Sequence, residues 1–135
     1  MKFKTDTKEK FHVITVSEPS FTAYMAAELT DLLLPYLQID AWLPGKQVKN
    51  IILNLKELQS IDEIAAEKLV NLQQKFYEHP ASFVICELQK PVEDFLDSVN
   101  VLEIMNATPT ESEAWDIVQM EEIERELMDG ESSES

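Results

Sequence analysis

Glycine is nearly absent from this 135-residue chain, which holds two. A glycine-rich loop of the kind that cradles nucleotide phosphates is therefore excluded. Cysteine is rarer still. The one thiol, Cys86, excludes an intramolecular disulfide framework and a cysteine zinc cluster. Its neighbours Phe83-Val84-Ile85 place it in a buried strand, where cysteine acts as a small hydrophobe. Long hydrophobic runs are missing too. The patch Leu32 to Leu37 is interrupted by Pro35 and falls far short of the roughly 20 residues that span a bilayer. The start, Met1-Lys2-Phe3-Lys4-Thr5-Asp6, has no apolar signal core. These absences together predict a protein of the reducing cytoplasm.

Basic residues are scarce as well: 11 Lys and Arg stand against 26 Asp and Glu, a net charge of −15. The excess is uneven, since residues 111–135 carry −9 of it and residues 1–110 carry −6. Such a surface repels phosphate backbones and anionic lipid, so neither nucleic acid nor membrane is an expected partner. It suits a basic partner, and it equally serves solubility. The two histidines, His12 in a predicted strand and His79 at a predicted helix stop, have no acid spacing that makes a metal site. Ser, Cys and His fall in no recognisable nucleophile motif. No catalytic residue, metal or cofactor is expected, and the chain does not read as an enzyme.

What is present is ordinary globular composition, 44% apolar and 27% charged, in a length that suits one domain with one real core. Residues 2–7 and 11–16 read as strands around the polar turn Thr7-Lys8-Glu9-Lys10. A helix follows over about 21–34. Met25, Ala26, Leu29, Leu32 and Leu33 form its buried face, and Pro35 is expected to end or kink it. Residues 38–50 form a longer connection with a turn at Pro44-Gly45. Trp42 within it either tucks onto the body or offers an aromatic anchor. Ile51-Ile52-Leu53-Asn54-Leu55 is a buried-strand pattern. The helix after it runs to about Glu78 on the stripe Ala65, Leu69, Leu72 and Phe76. Its start has two readings: Ser60 with Glu63 makes a capping box that begins the helix near Ile61, or Asp62 is the cap. His79-Pro80 stops it.

Ser82 to Leu88 is the next strand, Pro91 to Leu96 a short helix, Val101 to Met105 a last short strand, and 106–109 a loop. A second capping box, Thr110-Glu111-Ser112-Glu113, opens a helix through Ala114, Ile117, Val118, Met120, Ile123 and Leu127. Gly130 is expected to end that helix. The tail Glu131-Ser132-Ser133-Glu134-Ser135 has nothing apolar to bury and is expected to be disordered. The expected organisation is a single domain over 1–130 with that tail beyond it. Strands alternating with helices predict an α/β fold with a largely parallel sheet, an N-terminal antiparallel strand and about four helices.

The run I-I-L-N-L-K-E-L-Q-S-I-D-E-I-A-A, Ile51 to Ala66, with the β-β-α-β-α-β-α-β-α order, resembles a STAS domain (sulphate transporter and anti-sigma-factor antagonist). The resemblance covers about residues 2–128. The segment Leu88 to Ala114 adds to it: a proline, a short helix, a short apolar stretch, then a threonine- and glutamate-rich start to the last helix. In regulatory members the turn reads roughly D-S-S-G or D-S-T-G, and its second hydroxyl is phosphorylated by a partner kinase. Here the positions are Asp62, Glu63, Ile64 and Ala65. The aspartate is kept, Ile64 replaces the hydroxyl, Ala65 replaces the glycine, and the 38–50 loop is longer than usual.

The resemblance implies non-catalytic protein–protein recognition, similar to an anti-sigma-factor antagonist in partner switching. The implied partner is an anti-sigma factor or kinase-like regulator. The implied docking surface is Ser60, Asp62, Glu63, Ile64 and Ala65, with no phosphorylation at position 64. The alternatives are a domain that senses a nucleotide or other small ligand, in a pocket lined by Trp42 and the β-turn-α junction, or a scaffold subunit of a signalling complex. Glu63, in the first helical turn, reads either as complement to the helix dipole or as a fixed negative charge imitating phosphate, which carries nearly twice that charge.

Overall fold

The computed structural model describes residues 3–37 and 49–134, with side chains to 127. Strands β1 (Phe3–Thr7) and β2 (His12–Val16) form an antiparallel hairpin, with Phe3 opposite Val16 and Thr7 opposite His12. β2 then pairs parallel with β4 (Ile51–Asn54), β4 with β6 (Phe83–Cys86), and β6 with β7 (Ala107–Thr108). The sheet order is β1-β2-β4-β6-β7. Every residue of β4 and β6 is buried, as continuous apolar runs are when helices cover both faces of a parallel sheet. The mixed sheet and the four helices agree with the sequence expectation.

The period of two along the strands decides what each face meets. Ile14, Val16, Ile51, Leu53, Phe83 and Ile85 pack with buried residues of α1 (Ala23–Leu37), α2 (Glu63–Tyr77) and α3 (Lys90–Ser98). Val13, Ile52, Val84 and Cys86 face the other way, against Ala114 and Val118 of α4 (Glu111–Glu134). One helix therefore covers the second face, helped by Trp115, whose ring lies 5.1 Å from that of Phe11.

Five local expectations are corrected. α1 continues through Pro35 to Leu37. The proline sits in the last turn, and the bond it removes belongs to the carbonyl of the exposed Asp31, which water can serve. Leu32, placed on the buried face of that helix, is 44% exposed. Ser60 does not cap α2, because Ser60–Ile61 is a short strand, β5, parallel to β3 (Ser20–Phe21). The 101–105 stretch is a 3-10 turn at Leu102–Ile104 rather than a strand. Val101 and Met105 are both buried there; four residues apart, they suit a helical turn as well as a strand. Gln73 holds this turn, donating to the Ile104 carbonyl at 3.1 Å and accepting from the Asn106 N–H at 2.8 Å. The last strand is instead β7, inside the expected loop. Finally, α4 runs on past Gly130 to Glu134. Its start keeps the expected cap, with the Thr110 hydroxyl accepting from the Glu113 N–H at 3.2 Å. The Trp42 reading lies outside the described residues.

The end of the sheet where the parallel strands begin is locked by polar contacts. Buried Asn50 accepts from the Ser82 N–H at 2.8 Å and from Arg125 at 3.1 Å, and donates to the Lys10 carbonyl at 2.9 Å. Arg125 also donates to the Ser82 hydroxyl at 3.2 Å. One side chain thus ties the β1–β2 turn, the entry to β6 and the middle of α4.

Candidate functional site

At the opposite end, where the parallel strands finish, the chain builds a junction around Asp62. β4 leaves the sheet, and the turn brings β5 beside β3, with the Gln59 and Ser60 N–H groups both donating to the Pro19 carbonyl at 2.7 and 2.9 Å. The Ser60 hydroxyl donates to the Ser20 hydroxyl at 2.9 Å. This pairing sets the start of α1 next to the start of α2.

Helix starts leave N–H groups unsatisfied and concentrate partial positive charge. Asp62 is the N-cap of α2, its Oδ1 accepting from the Ala65 N–H at 2.7 Å. Its Oδ2 accepts from the N–H of Ala23, the first residue of α1, at 3.0 Å. One carboxylate therefore serves both helix starts. The Thr22 hydroxyl completes the α1 cap by accepting from the Met25 N–H at 3.2 Å.

The structure brings the predicted site residues together but divides them. Ser60, Asp62, Glu63 and Ile64 are exposed, whereas Ala65 is fully buried and offers the junction only its backbone. Ile64, the second residue of α2, is 57% exposed. Tyr24 holds the matching place on α1 and is 70% exposed. Tyr24 and Ser20 were missed by sequence reasoning. An unburied tyrosine at a helix start is unremarkable until β3 and β5 pair across forty residues.

Two titratable groups away from the junction are held in their neutral forms. Cys86 is buried, and that burial, followed by the carboxylates of Glu111 and Glu87, pushes its thiol up to about 12; a neutral thiol is a poor nucleophile. Tyr77 is likewise pushed up to about 12, chiefly by burial and then by its hydrogen bond to Glu121 at 2.8 Å. Among the described residues, no group of three or more His, Cys, Asp and Glu could hold a metal ion. None of their helices is long and apolar enough to cross a membrane. A cavity of about 410 Å³ is lined by Leu88, Glu93, Leu102, Met105 and Thr108 among others.

A sheet opened by an antiparallel strand, and a capped β-turn-α junction at its far end, define a STAS domain. The sequence matches the STAS domain family over residues 2–114, so the chain belongs to that family. Solved structures share the fold. An anti-sigma-factor antagonist (STAS) domain protein from Planctomyces limnophilus superposes with a TM-score of 0.69 at 14% identity, covering 87% of this chain and 97% of that one. The anti-sigma factor antagonist SpoIIAA in its unphosphorylated form gives 0.64 at 16% identity, covering 87% and 96%. The mouse Solute Carrier 26 family member A9 anion transporter gives 0.65 at 12% identity, covering 85% of this chain but 18% of that protein. No protein of curated function matches the sequence significantly.

Proposed function

We propose that this chain is a non-catalytic protein–protein interaction domain that works in the manner of an anti-sigma-factor antagonist. It docks an anti-sigma factor or kinase-like regulator in the cytoplasm through the starts of α1 and α2. The observation that carries this reading is the exposure of Ile64 and Tyr24, two large apolar side chains at matching positions of helices joined through Asp62. Apolar anchors with a polar surround are what a protein partner buries, and Ser60, Ser20 and Glu63 supply that surround. Ile64 offers no oxygen for phosphoryl transfer, so the surface is not switched at the position used by regulatory family members. The Ser60 hydroxyl, engaged with Ser20, is a poor substitute.

The test is affinity capture from the native host with the wild-type chain and with Ile64→Asp and Tyr24→Ser. Both variants should melt like the wild type and lose the captured protein by at least tenfold. Retention of the same protein by both would place its docking elsewhere. Incubating the pair with ATP should add no phosphate; mass spectrometry finding phospho-Ser60 would refute the unswitched reading.

A second reading, small-ligand sensing, draws on the cavity between α3, the 3-10 turn and β7. Glu93 at its rim and the acidic surface disfavour phosphorylated ligands. A thermal-shift screen separates the readings, because a ligand that binds only the folded state raises its stability.

A further inference from the structure

The helix that covers the second face of the sheet is apolar on its outer side as well. Ala114 and Val118 point into the core. Beyond them Met120, Ile123 and Leu127 are 57%, 56% and 64% exposed. Their spacing of three and four residues puts them on one stripe. The stripe lies C-terminal to the part of the chain that the family match covers, which ends at 114. Nor does it serve the core, since Arg125 fastens this part of the helix from the other side, through Asn50 and Ser82.

The charge around the stripe selects what can cover it. Glu113 and Glu124 flank it on one side and Glu126 on the other, with Asp116 one turn before Met120, and all four are exposed. Residues 111–135 carry one basic side chain, Arg125, against ten acidic ones. A second copy of this helix would set carboxylates against carboxylates, and like charges facing one another across an interface cost several kcal/mol. A small cleft of about 140 Å³ opens beside Ile123, lined by Lys10, Gln119, Glu122 and Glu126. Glu122 approaches Lys10 only at 3.9 Å, so the acidic charge here is only loosely matched from within the chain.

We propose that the outer face of α4, with Met120, Ile123 and Leu127 as anchors and Asp116, Glu124 and Glu126 around them, receives a basic amphipathic helix of a protein partner. The mode is that of an apolar helix face read at i, i+3 and i+7, with lysine and arginine on the incoming segment meeting the acidic flanks. This surface is separate from the Asp62 junction and does not depend on its function. Both could be occupied at once, which would make the domain a connector between two proteins.

The probe is a synthetic 18-residue helical peptide with leucines at i, i+3 and i+7 and lysine or arginine at its other exposed positions. Two controls accompany it: a scrambled peptide of the same composition and a charge-reversed one with glutamate for the basic residues. Fluorescence anisotropy with the full chain should show binding of the first peptide, at least tenfold weaker binding of the scrambled one, and none of the charge-reversed one. Met120→Ser/Ile123→Ser/Leu127→Ser should weaken the first peptide by at least tenfold and leave the melting temperature unchanged. Hydrogen exchange should show protection confined to α4. Equal binding of the ordered and scrambled peptides would overturn the proposal by reducing it to charge attraction. A dimer in sedimentation that the triple variant dissolves would overturn it in favour of a second copy. A loss of several degrees in the triple variant would overturn it by showing that the chain itself covers the stripe.

Discussion

The Asn50 cluster and the Asp62 junction lie at opposite ends of the parallel strands and hold their polar groups in opposite ways. At the starting end, Asn50 is buried and saturated, with bonds to Ser82, Arg125 and Lys10 that join three separate elements. At the finishing end, one exposed carboxylate, Asp62, makes two bonds to two helix starts. Buried polar groups are costly to leave unpaired, so the Asn50 cluster has little freedom to change its residues. The Asp62 junction carries its carboxylate in water and places two large apolar groups, Tyr24 and Ile64, there too. The Asn50 cluster fastens the fold, and the Asp62 junction is the surface proposed to be presented to a partner.

Four substitutions or conditions test that contrast, from the largest effect down. Asn50→Ala leaves the Ser82 N–H and the Arg125 guanidinium short of an acceptor inside the protein. It should destabilise by about 3 kcal/mol, read as a lowered denaturation midpoint; a loss no larger than that of Asp62→Ala would erase the distinction. Asp62→Ala removes two caps at about 1 kcal/mol each, about 2 kcal/mol in all. Asp62→Asn, which keeps one side-chain oxygen as acceptor, should lose clearly less in the same measurement.

The third test is alkaline pH. The thiol of Cys86 and the phenol of Tyr77 are held neutral in the folded state up to about 12, from ordinary values of 9.0 and 10.0. Because only the unfolded chain ionises in that interval, their contribution is full below about pH 9 and lost as pH rises toward 12. Chemical denaturation across that range should show the decline, Cys86→Ala should delay its onset, and native Cys86 should resist iodoacetamide at pH 8. The smallest effect is expected from deleting 131–135. The segment has no apolar side chain, and the midpoint should move by less than about 0.5 kcal/mol.

The fold was readable where a single period dominates. Ile51–Leu53 and Phe83–Cys86 are uninterrupted apolar runs, and the α2 stripe Ala65, Leu69, Leu72 and Phe76 is buried as its spacing requires. It was unreadable where a distant partner decides. Ser60 fits a local capping box, but Ser20 and Phe21 draw it into a strand, and the cap passes to Asp62. β7 is two residues long and exists only because β6 accepts it as a neighbour. For the site, the aspartate and the isoleucine were legible from their place after the strand. Tyr24 was not, because nothing in the sequence near it says that α2 begins alongside. The buried position of Ala65 was implied by the α2 stripe, even though the family resemblance put it among the surface residues.

Asp62 also has a mechanical consequence. Its two oxygens grip two helices at 2.7 and 3.0 Å, and bonds of that kind weaken steeply once stretched or misaligned. Neither helix start can slide along the other without breaking a bond that holds both. Displacing either helix start therefore strains a carboxylate that also holds the other. In the proposed docking, a protein that lands on either helix would meet a surface whose other half is already in place, with little ordering left to be done on contact.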